Sequence, residues 1–150
     1  MSSLNELINA QTDQQLREDL LDRLAIVEHK IKFMDKVPVC FLDSEGEMNL
    51  NLGELAVLSG AVLTTLPREA VYVIFAEENK MVDEMMASVP TLLDGEWPSV
   101  KYSRICLLSD SYNLSDAHDA VALVEAIAEM IHPGLFIFGD EGSKWIRFSI

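Results

Sequence analysis

Three short apolar runs limit what this chain can become. "PVCFLD" (38–43) and "RICLLS" (104–109) are short and apolar, and "AVYVIFA" (70–76) is β-branched and aromatic. Runs of this length and composition read as strands covered on both faces. Helical periodicity fills the gaps. Met81, Met85, Val89 and Leu92 recur at steps of three and four. So do Val121, Val124, Ile127 and Ile131 within 116–131, where Pro133 and Gly134 act as a stop. "LGELAVLSGA" (52–61) reads as a short helix ending near Gly60, Pro98 falls in the loop "GEWPSVKYS", and the tail "KWIRFSI" suits an edge strand or an extended end. Alternation of this kind implies a mostly parallel sheet with helices on its faces. The expected fold class is α/β: one three-layer lobe with a sheet of about four or five strands, preceded by a long N-terminal helix.

That leading helix is written in Leu16, Leu20, Leu24, Val27, Ile31 and Met34. The stripe predicts a helix over 13–35, capped by Thr12 or Asp13 and closed before Pro38. Residues 1–12 read as a flexible lead and 38–150 as the body of a single domain, since 150 residues make about one domain.

Charge narrows the partners. The net charge of −14 opposes nucleic-acid binding, which needs basic groups against phosphate, and disfavours docking on anionic membranes. No apolar run approaches the ~20 residues that span a bilayer. The polar start, Met1 to Gln15, lacks the basic-then-apolar order of a secretory signal, so a cytoplasmic location is expected. Cys40 and Cys106 each sit inside an apolar run and read as buried thiols. A disulfide between them requires neighbouring strands.

In an open α/β sheet, ligands sit outside the carboxyl ends of the strands. This rule selects Asp43, Ser44 and Glu45 after the first run, and Glu77, Glu78 and Asn79 after the second. After the third it selects Asp110, Tyr112, Asn113 and, at the helix start, His118. The acids can solvate loops, meet a basic partner or cationic ligand, or hold a hard cation through oxygen ligands. No metal-binding spacing is present, so no metal site and no cofactor is expected. His118 reads as a solvated helix-terminal residue or a pH-sensitive group, His29 as surface, and His132 as a helix end. Met81, Met85 and Met86 read as core filler. There is no G-x-S-x-G elbow, no HExxH and no phosphate-cradling glycine loop, so no catalytic residue is assigned.

The order of parts resembles the C-terminal lobe of ABC-importer substrate-binding proteins for cobalamin and ferric siderophores. "LREDLLDRLAIVEHKIKFMDK" resembles the helix that connects the two lobes of that family. "VPVCFLD" resembles the first strand of the second lobe, and "YVIFAEE" the strand that ends at the ligand cleft. The stretch from "VPTLLDGEWPSVKYSRICLLS" to "IHPGLF" resembles its run of helix, Trp-Pro, strand, cleft loop and final helix. The resemblance implies a small ligand, a corrinoid or an iron chelate, and a lobe without its N-terminal companion. Ala117 and His118 stand where the family often has Pro-Arg, so the guanidinium that can grip an acidic ligand group is missing. The short segment from "SGAVLTTLP" to "REAVYVIF" lacks the helix whose glutamate docks on a permease, so a conventional import receptor is not expected.

The expected function is a non-enzymatic binding module that takes a small ligand or a protein at the strand-end face. The alternative is a structural or regulatory subunit that has lost ligand binding. With no companion lobe, Phe33, Met34, Met48 and Tyr112 are candidates for exposed anchors. A homodimer through the N-terminal helix or the strand-end face is the expected remedy.

Overall fold

The apolar runs become the centre of the sheet, and two further short strands close its edges. A computed structural model describes residues 3–78, 82–108 and 112–148. In chain order the elements are α1 (Ser3–Asn9), α2 (Gln14–Ile31), β1 (Val37–Leu42), α3 (Gly53–Leu58), β2 (Ala61–Leu63) and β3 (Tyr72–Phe75). Then come α4 (Val82–Leu92), α5 (Pro98–Lys101), β4 (Ile105–Leu108), α6 (Ala117–Ile131) and β5 (Trp145–Arg147). The sheet runs β2-β1-β3-β4-β5. The first four strands are parallel, and β5 returns antiparallel to β4.

Side-chain alternation along each strand divides the core in two. Val39, Phe41, Tyr72, Ile74, Cys106 and Leu108 face α1, α2, α3 and α6. Cys40, Leu42, Val73, Phe75, Ile105 and Leu107 face Met85 and Val89 of α4 and the neighbourhood of α5. The period of two in β-strands places each set on one face. The two thiols are therefore on opposite faces, with β3 between their strands, and both are free and buried. No disulfide can join them.

α2 begins where Asp13 Oδ1 accepts from the backbone N–H of Gln15 (2.9 Å) and Leu16 (3.2 Å), a side-chain cap of the first helical turn. Leu20, Val27 and Ile31 are its buried stripe. The helix stops at Ile31, four residues short of the expected end. Lys32 to Asp35 turn the chain into β1, and Phe33 is left 93% exposed, off the core-facing stripe. Arg23 Nε and Nη2 reach both oxygens of Glu125 (3.1 and 2.5 Å), which ties α2 to α6.

Several expectations need correction. Residues 3–9, taken as part of a flexible lead, form α1, because Leu4 and Ile8, one turn apart, are buried in the α-rich core. Pro98 does not lie in a loop. It opens α5, where its fixed φ and missing N–H are tolerated. β2 was not foreseen: it is three residues long, and two of them are exposed.

At the amino ends of β1 and β2 the polar groups are locked. His132, expected only as a helix end, caps α6 but is buried (4% exposed), and its Nε2 lies 2.9 Å from Ser59 O. Because a carbonyl only accepts, Nε2 carries the proton. The Ser59 hydroxyl lies 2.7 Å from Leu55 O and 2.9 Å from Val124 O. Gly60 follows at φ +94°, and a Cβ there would stand 2.8 Å from His132 Nε2 and 3.1 Å from Ile31 Cδ1. Only glycine fits. Burial pushes the His132 pKa below its ordinary value; the bond to Ser59 opposes this and Lys36 adds to it.

Candidate functional site

The site follows from how the strands are connected. β1 leads through α3, on the first face, to β2 at one edge. β3 leads through α4 and α5, on the second face, to β4 toward the other edge. The connections leave β1 and β3 in opposite directions, so a crevice opens at their carboxyl ends. In open α/β sheets this switch point is where ligands sit.

A cleft of about 260 Å³ lies at that point, lined by Asp43, Met48, Asn49, Leu50, Asn51, Glu77 and Glu78. The loop after β1 folds back to form one wall. Asp43 Oδ1 accepts from Glu45 N (2.9 Å) and Glu47 N (3.0 Å), while Asp43 N donates to Glu47 O (2.8 Å). Two latches hold this loop to the end of β3. Ser44 donates to Glu77 Oε1 from its backbone N–H (3.1 Å) and its hydroxyl (2.7 Å), and Asn49 Nδ2 donates to Ala76 O (2.8 Å). Charge-assisted bonds of the Ser44–Glu77 kind are stronger than neutral ones. Asp43, Ser44 and Glu77 therefore shape the wall as well as supplying charge. Glu78 is exposed on it.

A second cleft, about 150 Å³, lies beside the first turns of α6. Its apolar floor is Leu108, Ala122, Leu123 and Ala126, and its polar groups are Tyr112, His118, Asp119 and Lys144. Asp116 caps α6 by accepting from His118 N (3.0 Å), which fixes where the imidazole emerges. Asp119 Oδ2 accepts from Asn113 N (3.2 Å), and Asn113 Oδ1 from Ser115 N (3.0 Å).

Tyr112 lines the second cleft, but it is buried (8% exposed), not the exposed anchor expected of it. Its hydroxyl is buried without a hydrogen-bond partner; among the described residues Ser99 Oγ is the other such side-chain oxygen. Burial pushes the phenol up to about 12, the Asn49 side chain draws it down, and Glu78 and Glu77 raise it. Asn49 is thus close to the hydroxyl. Its Nδ2 donates to Ala76 O and its Oδ1 accepts from Asn51 N.

The sequence-selected residues thus divide. Asp43, Glu77 and Glu78 share the first cleft, and Tyr112 and His118 the second. Glu45 is exposed in the Asp43 turn, and Asn113 spends its side chain on a local turn. Asn79 and Asp110 lie outside the described residues. Asn49, Asp119 and Lys144 went unforeseen. Asn49 sits just after an acidic loop, and a helix-preceding Asn is a cap signal that was available. Lys144 comes from the far end of the chain, and nothing local announces its place. Among the described residues, no group of three or more His, Cys, Asp or Glu side chains is placed to hold a metal ion, and no helix is long and apolar enough to cross a membrane.

No protein-family model and no curated protein matches the sequence. Solved structures do. The chain is similar to an ABC transporter substrate-binding protein from Listeria monocytogenes EGD-e, with TM-score 0.66 and 14% identity over 86% of this chain and 62% of that one. It is similar to the TroA-like periplasmic binding protein FepB from Veillonella parvula, with TM-score 0.61 and 14% identity over 99% of this chain and 59% of that one. It is also similar to Helicobacter pylori CeuE in a Ni-His complex, with TM-score 0.58 and 10% identity over 79% of this chain and 45% of that one. The chain spans between 45% and 62% of the length of these proteins. At such identities the likeness establishes the fold alone, one α/β lobe shared with part of each of these proteins.

Proposed function

We propose that the chain is a non-enzymatic binding module that takes a small ligand at the strand-end face. One observation carries this reading. The acid-lined cleft lies at the switch point between β1 and β3, where sheets of this topology hold ligands, in a fold shared with solved substrate-binding proteins. The sequence resemblance supplies a corrinoid or an iron chelate as the ligand class to test first. Native mass spectrometry of freshly purified protein is the experiment. A stoichiometric mass adduct that is lost on denaturation supports the reading. Bare protein, together with no response of the strand-end amides to cobalamin or a ferric chelate, rejects that ligand class.

A second reading, a structural or regulatory subunit that pairs as a homodimer, draws on α2 and the turn after it. Leu21, Ile26, Phe33 and Met34 are exposed there. Closed two-fold pairing is the commonest way to cover such residues. Light scattering that gives the monomer mass at high micromolar concentration, in both low and high salt, rejects it.

A further inference from the structure

We infer that residues 138–147 form a strap, latched by the Glu129 carboxylate, that swings away from the body as one unit and opens the cleft beside α6. The inference goes beyond the binding-module reading, which rests on the other cleft. Four observations carry it. First, the strap is attached at few points. β5 is three residues long, ends the sheet and pairs only with β4. Several of the strap's main-chain bonds stay within it: Asp140 O accepts from Ser143 N (3.1 Å) and Lys144 N (2.9 Å), and Gly142 N donates to Trp145 O (2.6 Å). Second, one buried carboxylate gathers four further donors. Glu129, in the last turn of α6 and 8% exposed, accepts at Oε2 from Phe138 N and Gly139 N (3.1 Å). Its Oε1 accepts from Asp140 N (3.2 Å) and Trp145 Nε1 (2.8 Å). Such charge-assisted bonds are strong, and all four share one anion, so they are made and lost together. Third, Gly134 stands between α6 and the strap at φ +83°, with nothing within 4 Å of where a Cβ would lie, so the chain there is free to pivot. Fourth, Lys144 rides on the strap and lines the cleft beside α6, so opening takes away one wall of that cleft. Proteins open locally in units of this kind, where attachments to the core are few.

The two free thiols give the test, because they differ in what covers them. Cys106 is paired across the β4–β5 ladder with Arg147 and shares its face of the sheet with Trp145, so the strap covers it. Cys40 lies in β1, between β2 and β3, and is reached only by global unfolding. The full chain is treated with N-ethylmaleimide, dilute enough that labelling is slower than closing, and peptide mass spectrometry reads each thiol separately. Cys106 should react roughly tenfold or more faster than Cys40. Urea below the unfolding transition should speed Cys40 much more than Cys106, because opening the strap exposes little surface. Gly60→Ala, which weakens the far end of the sheet, should speed Cys40 and leave Cys106 unchanged. Glu129→Gln, which removes the anion at constant size, should speed Cys106 by roughly tenfold. Equal rates with equal urea dependence overturn the inference, and wild-type protein alone decides that. A Gly60→Ala variant that speeds both thiols alike overturns the independence of the strap. An unchanged Cys106 rate in Glu129→Gln overturns the latch.

Discussion

At the amino ends of β1 and β2, the His132 imidazole meets Ser59 O at 2.9 Å, and the Ser59 hydroxyl has two carbonyls within reach. Beyond the carboxyl end of β4, the Tyr112 hydroxyl is also buried and has no hydrogen-bond partner. Both regions bury polar atoms. One satisfies them within the chain and packs glycine against them; the other leaves a hydroxyl oxygen without a partner. Local rules of polar satisfaction tend to fail where a protein keeps a function, and they hold where it keeps its shape. The lower end of the sheet is thus held by its own hydrogen bonds, and the upper end is where a buried polar group goes without one.

The lower end should break hardest. Gly60→Ala forces a side chain onto a φ of +94° and against His132 Nε2, and the expected loss is roughly 2–4 kcal/mol, read as a fall in urea midpoint. His132→Ala strands Ser59 O and opens a cavity, with an expected loss of about 2–3 kcal/mol. The same residue predicts a pH dependence. Its pKa is lowered in the folded state, so below the ordinary value of 6.5 the unfolded chain takes a proton that the native chain refuses. The contribution is fully present above that value and is lost progressively as pH falls toward the lowered native one. Urea midpoints measured between pH 7.5 and 5 should fall, and His132→Gln, whose amide also donates to Ser59 O, should flatten that slope.

The upper end should bend less. Glu77→Ala removes the acceptor of both Ser44 donors and should cost about 1 kcal/mol, with faster hydrogen exchange in residues 43–49. Tyr112→Phe deletes an unsatisfied hydroxyl and should leave the melting temperature unchanged or raise it slightly, by less than about 1 kcal/mol in stability. A large destabilisation on that substitution would mean that Tyr112 is held like His132, and the division between the two ends would collapse.

What could be read from the sequence follows from which forces act locally. β1, β3 and β4 are buried on both faces, so their composition alone betrays them. α6 repeats its apolar residues over four turns, and α2 over five. β2 has three residues and an exposed edge, so nothing in "AVL" distinguishes it from a loop. α1 is helical because Leu4 and Ile8 find a core supplied by distant elements, which no window of seven residues can foresee. The strand-end rule placed Asp43, Glu77 and Glu78 together because strand order alone brings them there. It placed Tyr112 on the correct end but could not give its burial. That depends on packing among residues such as Leu108 and those of the first turns of α6.

The parallel arrangement also sets how the chain must find its shape. No two neighbouring strands are joined by a hairpin. Val37 pairs with Ala61, Val39 with Tyr72, Val73 with Ile105 and Cys106 with Arg147, so every ladder must wait for a distant segment to arrive. Each closure loses chain entropy before any ladder bond repays it. Folding speed falls as contacts become less local, and proteins built on such pairings fold in about milliseconds to seconds. The helices can form early on their own stretches of chain, but the central strand, β3, can be seated only after β1 has been bridged across more than thirty residues. During that interval this buried strand is without both of its neighbours, and the acidic loops around it keep one unfinished chain from joining another.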